Sequence, residues 1–291
     1  MGFRQATRKQ ELIMYQGFYN LTSGMLTQQR NLNVIGNNMV NINTAGYKTD
    51  TMVNSTFQEQ ILTRTGQYNK GNPHDVGSMS KINTATQTYT NYSQGAFKET
   101  GNIYDFCITG QGFFAVRTDT GVQYTRNGQF SVKDDGTLEL AGIGDVLGTD
   151  GQPIRIQSED FTVDSTGRIK GPERREPAVD ENGNPIYDEE GNQAYSITYP
   201  EYGQIEVVTF QDEGQLHRED NGMFTTNQAA AVANDNGETK LYWQAIEDSN
   251  VDMVQEMTSM ITSQRTLQSA AQLLKMYDTV MGRAVTLGSM S

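Results

Sequence analysis

Met14, Phe18, Leu21, Met25, Gln28, Leu32, Ile35, Met39 and Ile42 follow one another at alternating steps of four and three residues. That is the spacing of a heptad seam on one face of a helix, and Gln28 is its single polar member. Thr22, Gln29, Asn33 and Asn37 fall on the opposite face, so the apolar stripe is one-sided. The same alternation returns at the far end, at Met253, Met257, Met260, Gln264, Leu267, Ala271, Leu274, Asp278, Met281 and Val285. Val254, Ile261, Leu273, Tyr277 and Val280 widen this second stripe, which implies more than one neighbour. Asp248, Ser249 and Asn250 are candidates to cap its start, and Gly288 is a suitable stop.

The pattern changes between these ends. "IYDFCITGQGFFAVRTDTGVQYTRNGQFSVKDDGTLEL" alternates with a period of two. It is punctuated by Asp119-Thr120-Gly121, Asn127-Gly128 and Asp134-Asp135-Gly136, each a turn signal, and it reads as a β-meander. Further strands are expected near Ile154–Ile156, Phe161–Val163, Arg168–Lys170, Gln204–Phe210 and Met223–Thr226. Residues 51–92, rich in Thr, Asn and Gln without a sustained period, read as an extended connector. Residues 171–200 hold most of the prolines and a dense acidic run, which marks a surface excursion.

The fold class is therefore α+β: N- and C-terminal helices forming a coiled-coil-like layer, with a central β-rich domain of short strands. The expected organisation is an N-terminal extension and helix over 1–50, a connector over 51–100, a β-rich domain over 101–246 with its acidic insertion at 171–200, and a C-terminal helix over 247–291. The matching seams pair most simply with each other or with the ends of other copies. A helix of ~25 residues alone is marginal in water. Ordering it costs ~1–2 kcal/mol per residue, and each buried seam side chain returns ~1.5–3 kcal/mol. One antiparallel pair covers one stripe only. The ends are expected to be loosely ordered in a monomer and to order on assembly.

Composition narrows the function classes. The net charge of -13 and a pI near 4.6 argue against nucleic acid, whose phosphates need Lys and Arg fields, and against anionic membrane surfaces. No apolar run approaches the ~20 residues of a membrane helix, so direct membrane insertion is not expected. The start, "MGFRQATRKQELIMYQGFYN", lacks the apolar core of a cleaved secretory signal. A single Cys excludes an intramolecular disulfide framework.

At this point the residues match a known pattern. "LTSGMLTQQRNLNVIGNNMVNINTAGYKTD" resembles the N-terminal signature of the bacterial flagellar axial proteins, the rod and hook family, in which a helix runs into Asn-x-x-Asn-x-x-Thr-Pro-Gly-Tyr/Phe-Lys. Asn38, Asn41, Asn43, Thr44, Gly46, Tyr47 and Lys48 match, and Ala45 replaces the usual Pro. "SQGAFKETGNIYDFCITGQGFFAVRTDTGVQYTRNGQFSVKDDGTL" is similar to the family's central block, and "SNVDMVQEMTSMITSQRTLQSAAQLLKMYDTVM" to its C-terminal helix, with Leu267 where an aromatic is common. Met14 stands where family members usually begin, which leaves residues 1–13 as an upstream start or an extension. The single β-domain resembles the longer rod subunits, proximal or distal.

The resemblance implies a hollow helical tube of many copies in the flagellar basal body, with terminal helices lining the inside and β-domains outside. It implies torque transmission, passage of exported subunits, partnership with itself and with other rod and hook subunits, and export of the unfolded chain by the flagellar type III apparatus. Phe18, Leu21, Met25, Leu32, Ile35, Met39, Ile42, Met253, Met257, Met260, Leu267, Leu274 and Met281 are then the expected subunit interface, and Asn38, Asn41, Thr44, Gly46, Tyr47 and Lys48 the family motif. The Asn-rich helix end is expected to turn the backbone while keeping its polar groups paired.

No residue set points to an enzyme, a metal or a cofactor. His74 and His217, the only histidines, are not at metal-ligand spacing. Cys107 sits in an alternating strand and reads as a small buried side chain. "DENGNPIYDEEGN" lacks the Gly of a Ca²⁺ loop, Pro185 following Asn184 instead. "GIGDVLG" does not open a helix, so it is no dinucleotide fingerprint. The competing functions are an extracellular adhesin or binding module, with 171–200 as its contact surface, and a secreted cell-wall hydrolase, which would require a positioned carboxylate pair.

Overall fold

The computed structural model describes residues 2–64, 74–177, 195–219, 221–234, 237 and 239–289. Within these, the side chains of 2–16, 55–64, 74–86, 175–177, 195–197, 284–285 and 287–289 lie outside the description, as does that of Met14 at the head of the first seam. The chain divides into two units.

The first unit comprises Met1–Asn41, Thr49–Asn91 and Val251–Ser291. It contains two helices, α1 (Gly2–Val40) and α2 (Met253–Ser289). The stretch read as a connector is instead a long antiparallel hairpin, β1 (Asp50–Arg64) paired with β2 (His74–Thr90) from Asp50↔Thr90 to Arg64↔His74. α1 lies against α2 and against both strands. The cap of α2 is Asp252, whose Oδ1 accepts from the Val254 and Gln255 amides at 2.9 and 3.1 Å, so the helix starts after all three candidates read from the sequence. It runs through Gly288 to Ser289.

The second unit comprises Ile42–Lys48 and Tyr92–Asn250. Its strands include β3 (Phe97–Glu99), β4 (Phe106–Thr109), β5 (Phe113–Thr118), β6 (Gly121–Thr125), β7 (Phe130–Val132), β8 (Leu138–Leu140) and β9 (Gly144–Val146). β5 to β9 form the middle of an antiparallel sheet in the order β6-β5-β9-β8-β7, extended by Phe224–Thr225 and His217–Arg218 beyond β6. The two Phe of Gly-Phe-Phe point to opposite faces of β5, as period two demands. Phe114 joins Phe106 and Phe130 in the main core, and Phe113 joins Phe224 and Leu216 in a second cluster.

Two predicted turns are turns, at Gly121 and Gly136, both with positive φ. Asn127-Gly128 has another use: a Cβ at Gly128 would fall 1.7 Å from the Phe106 carbonyl oxygen, so glycine there admits a close backbone crossing. Ile154 and Ile156 are buried beside isolated bridges rather than within a strand, and Gln204–Phe210 is divided between Glu201–Gln204 and Val207–Thr209. In the acidic segment Arg174–Pro177 pairs with Tyr195–Thr198, and residues 178–194, including the Ca²⁺-like run, lie outside the described residues.

Candidate functional site

In the helical unit, α1 and α2 run antiparallel in a fixed register. Asn38 Nδ2 donates to Glu256 Oε1 at 2.9 Å, Asn31 Nδ2 donates to Ser263 Oγ at 3.0 Å, and Gly17 lies where a Cβ would be 3.0 Å from Tyr277 Oη. Each step of seven or fourteen residues back along α1 is matched by an equal step forward along α2. That register sets Gly24 opposite Ala270 and Thr27 opposite Leu267. Thr27, Asn38 and Ser263 are buried. The seam inside one chain is thus largely polar or small on the α1 side, which pairs its polar groups and, at Gly17, admits the Tyr277 ring.

This inward line of α1 is offset by one residue from the apolar heptad. Phe18, Leu21, Met25, Leu32 and Met39 flank it, half-buried except for Phe18, which is 41% exposed, and Ile35 is buried. On α2 the half-buried Met260, Leu267, Leu274 and Met281 belong to the inward line, with Ser263, Ala270 and Tyr277 between them. Met253 and Met257 face outward at 52% and 46% exposure, as do Val254, Ile261, Leu273, Met276 and Val280. Ile42 lies beyond the end of α1, in a turn, and belongs to the other unit.

α1 ends in the motif. Asn38 is 1% exposed; besides Glu256 it donates to the Asp50 carbonyl at 2.9 Å and accepts from the Asp50 amide at 3.1 Å. Asn41 Nδ2 donates to the Asn37 carbonyl at 2.9 Å and so satisfies one of the last helical acceptors. Asn43 and Thr44 are exposed.

Residues 45–48 lie within the β-rich unit. Gly46 takes φ +67°, and a Cβ there would meet the Arg126 carbonyl carbon at 2.3 Å. Its amide donates to the Glu247 carbonyl at 2.7 Å. The Arg218 guanidinium stacks 4.1 Å above the Tyr47 ring and donates to the Lys48 carbonyl at 3.2 Å. Lys48 and Glu247 are each 1% exposed; Lys48 Nζ donates to Glu247 Oε1 at 2.6 Å and to the Ser93 carbonyl at 2.8 Å. Arg126 reaches Glu247 Oε2 at 3.3 Å and the Gly110 carbonyl at 2.8 Å. Burial pushes the Lys48 ammonium and the Arg126 guanidinium below their usual ranges, against the pull of Glu247. Nearby Cys107 is pushed up to about 11 by burial, with Glu247 adding to the rise, so its thiol is inert. His217 is exposed, the His74 side chain lies outside the described residues, and no cluster of three metal-ligating groups occurs among the described residues.

Three family models match these same segments. One described as flagella basal body rod protein covers residues 18–48; one described as flagellar hook protein FlgE/F/G D1 domain covers 107–171; one described as flagellar basal body rod FlgEFG protein C-terminal covers 244–287. In chain order these models fall on the N-terminal, central and C-terminal parts of the chain, which is similar throughout to flagellar basal-body rod proteins. It is 29% identical to the flagellar basal-body rod protein FlgG of Bacillus subtilis over 286 residues, covering 94% of this chain and 99% of that one. It is 29% identical to FlgG of Agrobacterium fabrum, covering 88% and 93%. FlgF of Caulobacter vibrioides is 28% identical, covering 90% and 93%.

The motif shared with these proteins divides between the units: Asn38 and Asn41 finish α1, while Gly46, Tyr47 and Lys48 are seated in the β-rich unit. Arg126 falls in the Tyr-Thr-Arg-x-Gly-x-Phe run of the central block, whereas Glu247, Arg218, Asn31 and Ser263, which complete these arrangements, carry no local sequence signal of their role. Their partners lie 121 to 232 residues away in Glu247–Arg126, Lys48–Arg218, Lys48–Glu247 and Asn31–Ser263.

Proposed function

We propose that this chain is a structural, non-enzymatic subunit of the flagellar basal-body rod, whose copies join through the outward faces of α1 and α2 into a hollow tube that transmits torque and lets exported subunits pass. The observation that carries the reading is the paired-helix unit itself: the α1 side of its internal seam is polar or small, while Met253, Val254, Met257 and Ile261, within little more than two turns of α2, stay exposed. Large apolar side chains left exposed at such close spacing on one helix mark an interaction site. The partners are further copies and other rod and hook subunits, and the chain reaches the basal body through the flagellar export apparatus.

Electron microscopy of basal bodies from a deletion strain tests this. Loss of a rod segment is expected, and intact rods would refute it. Deleting 171–200 separates the adhesin alternative, because a rod subunit still assembles without that segment. Hydrolysis of cell-wall substrate by the purified chain would revive the enzymatic alternative.

A further inference from the structure

We infer that Glu247 is the positioning residue that ties together every segment through which the chain leaves the β-rich unit. This deepens the rod reading and rests on it. The chain enters or leaves that unit at Ile42, Lys48, Tyr92 and Asn250, and the three segments concerned, 42–48, 92–95 and 247–250, converge on one carboxylate. Glu247 Oε1 accepts from Lys48 Nζ at 2.6 Å and from the Gly95 amide at 2.7 Å. Its carbonyl accepts from the Gly46 amide at 2.7 Å. Asn250, three residues on, closes the ring: its amide reaches the Tyr47 carbonyl at 3.4 Å and its side chain the Ser93 carbonyl at 3.0 Å. A Cβ at Gly95 would fall 1.9 Å from the Asp248 carbonyl oxygen, so these backbones touch.

The chemistry makes the tie cooperative. Two buried cations, Lys48 and Arg126, share this carboxylate. A neutral side chain at 247 leaves both uncompensated, which is far costlier than losing one hydrogen bond. Glu247 stands 199 residues from Lys48 and 152 from Gly95. The tie therefore closes only once nearly the whole chain is in place. A subunit that passes load between its units needs its exits fixed to one another, and Glu247 supplies that fixing.

The test compares amide hydrogen exchange in the purified full-length chain with Glu247→Gln and Lys48→Met. Glu247→Gln is expected to speed exchange at Gly46 and Gly95 at least tenfold, with Ala115 and Tyr124 in β5 and β6 within twofold of wild type. Lys48→Met, which leaves Glu247 with Gly95 and Arg126, is expected to speed Gly46 alone. Acceleration spread evenly over β5 and β6, or unchanged Gly46 and Gly95, overturns the inference. Should Glu247→Gln not fold, the selectivity of Lys48→Met decides by the same criteria. In cells, Glu247→Gln is expected to cut complete rods per cell at least tenfold. Complete rods with loosened amides would overturn the positioning role and leave the rod reading standing; complete rods in a deletion strain would overturn that reading.

Discussion

Asn38 and Asn41 look equivalent in the motif, yet the structure predicts very different costs for replacing them. Asn38→Ala removes a side chain that is 1% exposed and whose hydrogen bonds include two with the Asp50 backbone and one with the Glu256 carboxylate. Neutral bonds contribute about 1 kcal/mol each and a bond to a charged group about 1.5–3 kcal/mol. Glu256 is half-buried and regains part of its hydration, which discounts the total to about 2–4 kcal/mol. Asn41→Ala loses a helix-end bond to the Asn37 carbonyl in a more open position, worth about 0.5–1 kcal/mol.

Urea unfolding separates the two units. Circular dichroism at the helical band follows α1 and α2, while the sole tryptophan, Trp243, reports on the β-rich unit. Asn38→Ala should move the helical transition to lower urea by the larger amount and leave the tryptophan transition within about 0.5 kcal/mol, the range of a substitution remote from the probe. Asn41→Ala should move the helical transition little. Equal shifts for the two variants would show that burial and the Glu256 contact do not set the motif's energetics, and a joint shift of both probes would refute the confinement of Asn38 to the helical unit.

Gly46→Ala forces a Cβ into the Arg126 backbone at a positive φ, and strain and overpacking together predict a loss of about 2–5 kcal/mol in the tryptophan-monitored transition. Asn20 keeps a buried Oδ1 without a hydrogen-bond partner, so Asn20→Leu should stabilise the helical unit by about 1–3 kcal/mol, read as a higher midpoint at the helical band. Cys107 has a thiol raised to about 11, so iodoacetamide at pH 8.5 should label it slowly in native protein and fast in denaturant. Because its folded value lies above the unfolded value of 9.0, the sign is fixed: this contribution to stability is fully present below pH 9 and is lost as pH rises through about 11.

The helices, the meander and the motif were legible because each rests on local spacing. The seam inside the chain was not, and the reason lies in what periodicity measures. An apolar heptad reports the face that gains most from leaving water. The face α1 turns to α2 is instead the line one residue earlier, through Asn20, Gly24, Thr27, Asn31, Val34 and Asn38, where Asn31 and Asn38 hydrogen-bond across to α2. A scan for apolar period passes over such a line. The hairpin escaped for a related reason, since β1 and β2 satisfy their backbone groups by pairing with each other and need no alternation of side chains. Lys48 was visible through the motif, whereas its counter-charge was not: a single Glu before "DSN" has no pattern, and only the fold brings it across 199 residues. If, as proposed, copies join through the faces that one chain leaves exposed, the α2 stripe serves both: Met260, Leu267, Leu274 and Met281 face α1 in the monomer, while Met253 and Met257 are left for the assembly.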